Sequence, residues 1–281
     1  MKKFIRLSAL LLALLLVFTG CQSAPPAQEE AKTPTEDSSA QTDKSWDYIK
    51  EKGEIIMGLD DTFAPMGFRD DAGELAGFDI DFATAVAEEL GLKLKLQPIK
   101  WSAKEMELST GKIDVIWNGM SKTPERVEIM TLSNPYLQNT IVMMTKKDAN
   151  IHKADDMKGK KIGTQAGSTG LEILEAHALY EEIKDNITTY DDYDEACLDL
   201  EAGRVDIVVI DKVLGMYKAT KKADIFEFAE EELEPDLFVV GMRKEDKAFA
   251  QELQKAMDKL KTNGKALAIS QKWFSEDLII K

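Results

Sequence analysis

Between Trp46 and Lys281 the apolar positions switch between periods of 2 and 3.6 residues in a recurring order. Residues 54–59 (EIIMGL) form a short apolar run bounded by Gly53 and the acidic pair Asp60-Asp61, which predicts a strand. In residues 78–90 (FDIDFATAVAEEL), Phe78, Phe82, Ala85, Val86 and Leu90 fall on one helical face, and Gly91 supplies the stop. Residues 92–96 alternate as LKLKL, a strand with one wet face. A short helix over 103–109, closed by Gly111, and a buried strand over 113–117 come next. Strand–helix–strand order of this kind predicts an α/β fold with a largely parallel sheet and right-handed crossovers.

The order then starts again. GEIIMGL at 53–59 is echoed by GKKIGTQ at 159–165, and GKIDVI at 111–116 by GRVDIV at 203–208. In the second pair a glycine ends a helix, a basic residue comes next, and Asp114 or Asp206 precedes a β-branched strand; both acids are read as turn residues capping local backbone donors. Two similar α/β lobes are implied, not a solenoid. Two extended apolar stretches, 136–145 (YLQNTIVMMT) and 236–243 (DLFVVGMR), cross between them. The expected organisation is a discontinuous lobe 1 (46–141 and 239–281) and a lobe 2 (142–238), each with a mixed, mostly parallel sheet, joined by a two-strand hinge. Ligands of such architectures bind beside the carboxyl ends of the strands, in the cleft.

The first 45 residues have a different pattern. Lys2, Lys3 and Arg6 precede a nearly all-apolar run from Leu7 to Phe18. At about twelve residues it is too short for a ~30 Å hydrocarbon core and reads as a signal peptide over 1–20. Phe18-Thr-Gly-Cys21 looks like a bacterial lipobox, which implies a diacylated Cys21 as the first mature residue and a lipid anchor on the extracytoplasmic face. Residues 22–44 hold Pro25, Pro26 and Pro34 and no aliphatic side chain larger than alanine, so they cannot offset their ordering entropy and are read, with Cys21 and Ser45, as a tether.

Composition narrows the function. A net charge of −15 argues against nucleic acid as a partner. Removing the three cations of the signal peptide takes it to −18. Two cysteines and two histidines exclude a disulfide framework and make a zinc centre improbable, and no P-loop or dinucleotide fingerprint is present, so neither metal nor cofactor is expected. Cys197, in a helical stretch, is read as a small buried hydrophobe.

The blocks GLDDTFAPMGFRDDAGELAGFDIDFATAVAEELG, GKIDVIWNGMSKTPERVEIMTLSNPY, KIGTQAGSTG and GRVDIVVID, in this order, resemble the family 3 extracellular solute-binding proteins. The resemblance spans roughly residues 46–274. It implies a two-lobed periplasmic-binding-protein-like fold of type II and a monomeric receptor that hands a free polar amino acid to an ABC transporter permease. A zwitterionic ligand needs a cation for its α-carboxylate and an anion for its α-ammonium. Arg126, in Ser121-Lys-Thr-Pro-Glu-Arg, suits the first role because its planar fork makes two parallel charge-assisted bonds; a surface pairing with Glu125 or Glu128 is its ordinary alternative. Pro124 marks the first turn of a helix there.

In the second lobe Ser168 and Thr169 open the helical run 171–179, where exposed N–H groups favour an anion. The resemblance puts Thr169 on the α-carboxylate and Asp211, at the end of the strand VDIVVID, on the α-ammonium. It also assigns Phe63 and Trp101 to the apolar walls and Asn118, Gly119 and Ser121 to main-chain recognition. Phe68 and Trp117 are read as packing residues. Asp60, with Asp61 and Glu105, could favour a cationic ligand tail or be solvated; an acidic ligand would need a second cation in the cleft, and none stands out. Glutamine and cystine stay open. The other function class on the same scaffold is a dehydratase-like enzyme, but His152 and His177 lie outside the cleft motifs.

Overall fold

The computed structural model describes residues 43–280. The signal peptide, Cys21 and all but the last residues of the tether lie outside the described residues. Ser45–Lys52 forms a helix, α1, which the polar composition of this stretch does not announce. Its start is tied to the far end of the chain: Phe249 N–H donates to Ser45 Oγ at 3.0 Å, and the Trp46 and Phe249 rings stack at 6.4 Å. Gly53, at φ +74°, ends the helix in the left-handed region and feeds β1 (Glu54–Leu59). Three very short strands, β2 (Thr62–Phe63), β3 (Gly67–Arg69) and β4 (Leu75–Ala76), make a small antiparallel sheet.

Helix α2 (Phe78–Glu89) buries Phe78, Phe82, Ala85 and Val86 of the face read from the sequence, with Leu90 half-buried just past its end, and also buries Asp79, Ile80, Ala83 and Ala87. Strand β5 (Lys93–Pro98) runs parallel to β1 at a sheet edge, with Lys93 and Lys95 exposed. A 3-10 turn at Trp101–Ala103 leads into α3 (Lys104–Ser109), and β6 (Val115–Ser121) returns parallel to β1, buried throughout. Helix α4 (Pro124–Ile129), β7 (Met130–Leu132) and the ten-residue β8 (Leu137–Lys146) complete the first half.

The second half repeats this plan. Strand β9 (Ile162–Gln165), helices α5 (Thr169–Ala176) and α6 (Tyr180–Ile183), β10 (Ile187–Tyr190), α7 (Tyr193–Glu201) and β11 (Ile207–Asp211) place β9 parallel to both β10 and β11. Helix α8 (Lys212–Lys221), β12 (Phe226–Phe228), the ten-residue β13 (Glu234–Arg243), α9 (Lys247–Thr262) and α10 (Lys265–Phe274) complete the chain's order.

The ladder order is β10-β9-β11-β8-β13-β6-β1-β5. The two expected sheets are therefore the two ends of one continuous ladder, because the crossing strands pair with each other as well as with their own halves. Strand β8 binds β13 through Leu137–Ile141 and β11 through Ile141–Thr145. Strand β13 continues from β8 onto β6.

The repeat has a physical basis that differs from local capping. Asp114 Oδ2 accepts from Ile56 N at 2.8 Å, and Asp206 Oδ2 from Lys161 N at 2.9 Å, so each acid clamps a strand 45 or more residues away. Asp114 is fully buried and also receives Lys52 Nζ at 2.6 Å. Around β6, the Phe82, Trp117 and Tyr136 rings meet at 5.6–6.1 Å, which makes Trp117 a core residue. Around β11, Ile162, Leu174, Ile183, Ile207 and Val209 are buried completely. At about 1.5–3 kcal/mol per buried side chain, this packing holds the carboxyl ends of β6 and β11 firmly. Cys197 is buried without a disulfide, and burial pushes its thiol up to about 12.

Candidate functional site

Strand β6 ends in Asn118-Gly-Met-Ser, and local chemistry sets the turn beyond it. Thr123 caps α4, its Oγ1 accepting Arg126 N–H at 3.3 Å, and Pro124 occupies the first helical position. This short helix turns Arg126 inward, where it is 2% exposed. The guanidinium does not pair with Glu125 or Glu128. Its Nη1 donates to the Ser121 carbonyl at 2.9 Å and to Thr169 Oγ1 at 3.1 Å, and its Nη2 to Glu172 Oε1 at 2.8 Å. Three of its five N–H donors are thereby engaged. Nε is buried with no partner among the described residues.

The opposing wall comes from the second half. Ser168 caps α5 through a 3.2 Å bond from Leu171 N, leaving Thr169 at the first helical position. Asp211, 4% exposed, closes β11 and accepts from Asn139 Nδ2 at 2.7 Å. Burial, and then the neighbouring Asp236 charge, push its carboxyl up to about 8, against the pull of Asn139 and Arg126.

These elements converge on a small cavity, lined by Phe63, Trp101, Gly119, Ser121 and Arg126 from the first half and by Gln165, Ser168, Thr169 and Asp211 from the second. Gly119 is required: its φ is +56°, and a Cβ there would meet Phe63 Cε1 at 2.7 Å. Beneath it, the wholly buried Asp79 accepts Gly119 N–H at 2.7 Å and the Tyr136 hydroxyl at 2.9 Å. Burial raises the Asp79 carboxyl to about 7, with Gly119 and Tyr136 pulling it down.

Eight of the ten residues singled out for ligand contact line this cavity. Asn118 and Asp60 stand behind it. Asn118 Oδ1 accepts Asp60 N–H at 2.8 Å, and Asp60 Oδ2 accepts Gln165 Nε2 at 2.6 Å, a buried bond across the cleft. Desolvation raises the Asp60 carboxyl, while Thr62 and Gln165 oppose it. Asp61 instead pairs with Arg69 at a half-exposed position.

Several residues were not legible. Gln165 lies in a polar stretch of the GKKIGTQ echo, and only its place at the end of a strand could have marked it. A second buried cation does exist: Lys104, 2% exposed, donates to the Gly167 carbonyl at 2.8 Å and lies 5.1 Å from the Trp101 ring centroid. Burial and then Arg126 lower its pKa. Among the described residues there is no cluster of metal ligands and no helix long and apolar enough to cross a membrane.

Residues 55–276 match the family of bacterial extracellular solute-binding proteins, family 3. Among known relatives, an L-cystine-binding protein of Escherichia coli K12 is 31% identical over 82% of this chain and 86% of its own length. An ABC transporter arginine-binding protein of the same organism is 29% identical over 79% and 91%. Among solved structures, an ABC uptake transporter substrate-binding protein from Streptococcus pneumoniae with bound histidine is 41% identical, covers 85% of this chain and 99% of its own, and superposes with a TM-score of 0.80. The family and these relatives are binding proteins, which removes the enzyme reading.

Proposed function

Since the chain belongs to family 3 of the bacterial extracellular solute-binding proteins, we propose that it binds a free polar L-amino acid in the cavity between Arg126 and Asp211 and delivers it to an ABC importer. The observation that carries this reading is a buried guanidinium and a buried carboxyl group facing one small cavity from the two halves of the fold. Ionised Asp211 is costly to bury without a cationic partner, and Arg126 keeps an unpartnered Nε beyond its bonds to Ser121, Thr169 and Glu172. A zwitterion supplies both partners at once. Arg126, with its unpartnered Nε, takes the α-carboxylate together with Thr169, Ser168 and Ser121. Asp211 takes the α-ammonium, and Phe63 and Trp101 wall the side chain. Gln165, held from behind by Asp60, forms the polar end of the cavity.

Residues 46–141 with 239–281 act as one lobe and 142–238 as the other, closing on the ligand about β8 and β13. The protein is a monomer, secreted by its signal peptide and held to the membrane by lipid on Cys21, with the segment through Ser45 as a spacer. The lipobox and the chemistry of the tether support this part of the reading. A thermal-shift series with L-histidine, L-arginine, L-cystine and the other amino acids tests it. A ligand present at 100 times its Kd raises stability by about 2.7 kcal/mol, so one or more amino acids should lift Tm by several degrees. No shift with any amino acid would refute the proposal.

A further inference from the structure

Asn139 on β8 and Asp236 on β13 are direct cross-strand partners in the ladder that joins the two halves. Asn139 Nδ2 donates to Asp211 Oδ1 at 2.7 Å and to Asp236 Oδ2 at 2.9 Å, and Asp236 Oδ2 also accepts Ser121 Oγ at 2.8 Å. Asn139 Oδ1 accepts Val213 N–H at 3.4 Å. Two carboxylates from different strands therefore converge on one amide, at the crossing itself. We infer that Asp236 is a positioning residue: through Asn139 it couples the charge on Asp211 to the hinge strands, so that a cation arriving at Asp211 relieves a repulsion built across the hinge. This rests on the reading of Asp211 as the ammonium acceptor.

The groups facing Asp211 are Asp236 from β13, Asn139 from β8, Arg126 from α4 and Tyr193 from α7; burial and then the Asp211 charge raise the Tyr193 hydroxyl, so it stays neutral. Two carboxylates that share one amide donor disfavour double ionisation. With no cation bound, burial and the Asp236 charge favour the protonated form of Asp211. When an ammonium group binds, Asp211 loses that proton to solvent and the ion pair takes its place; the ammonium stays protonated.

Linkage gives the sign for stability. The Asp211 pKa lies above its unfolded value of 3.8, so its favourable contribution is complete below pH 3.8 and is lost as pH rises toward about 8. Thermal denaturation of the ligand-free protein between pH 4.5 and 8.5 should show Tm falling through this window. Asp236→Asn should flatten that fall, matching wild type at pH 4.5 and exceeding it by several degrees at pH 8; parallel profiles would overturn the inference. Calorimetry at pH 7 with L-histidine, L-arginine and L-cystine in two buffers of different ionisation enthalpy supplies the second readout. Wild type should release protons on binding ligand and Asp236→Asn fewer; equal release overturns the coupling. If no amino acid binds in the thermal-shift series while the two stability profiles diverge, the amino-acid reading fails and the carboxylate coupling stands. Should Asp236→Asn not fold, an infrared carboxyl titration of wild type against Asp211→Asn decides: loss of the Asp211 acid band below pH 6 overturns the inference.

Discussion

The stretch from β1 to β6 and the stretch from β9 to β11 share a scaffold. In each, a glycine near φ +74° ends a helix, and an aspartate before the next strand reaches back to clamp the first strand. The side chains that leave the strand ends are different. The first half delivers a cation, Arg126, already engaged by a backbone carbonyl, a hydroxyl and a carboxylate. The second delivers Asp211, held by one amide and pushed toward its neutral form by burial and Asp236. A repeated scaffold thus carries an asymmetric pair of charges. The cation side already uses three of its N–H donors, and the acid side is held toward its neutral form.

That contrast can be broken from either side, and the largest effect belongs to Arg126. Arg126→Ala removes the fork and leaves Glu172 facing the ligand carboxylate with no compensating charge. It should cost about 3–5 kcal/mol of binding, at least a hundredfold in Kd by calorimetry with the amino acid that binds wild type best. A smaller change sharpens the comparison. Glu172→Gln withdraws the carboxylate that shares Arg126 and leaves more of the guanidinium for the ligand. Because Glu172 is only partly buried, the gain should be modest, about threefold tighter binding; weaker binding would mean that Glu172 holds Arg126 in place rather than competing for it.

Local sequence patterns carried much of this site. The spacing Ser121-x-Thr123-x-x-Arg126 sets a cap, a first-turn proline and an inward arginine within six residues, so short-range rules suffice. Asp211 and Ser168-Thr169 are visible as the end of a strand and the start of a helix. The missed residues are those whose meaning comes from distant partners. Gln165 meets Asp60 across 105 residues, Arg126 meets Glu172 across 46, and Asn139 gathers Asp211 and Asp236 across 72 and 97. Neither periodicity nor composition records such pairings. In the fold, α1 was hidden by its polar sequence and β2–β4 by their length of two or three residues, too short for any period to show.

The central claim is that the buried guanidinium of Arg126 and the buried carboxyl of Asp211 recognise the two charges of one zwitterion. The most direct measurement compares, by calorimetry, the best-binding amino acid with its decarboxylated and its deaminated analogue. Each analogue leaves one buried group of the cleft unpaired, at a cost of about 3 kcal/mol, so each should bind roughly a hundredfold more weakly than the parent. Binding of either analogue within about threefold of the parent would contradict the account.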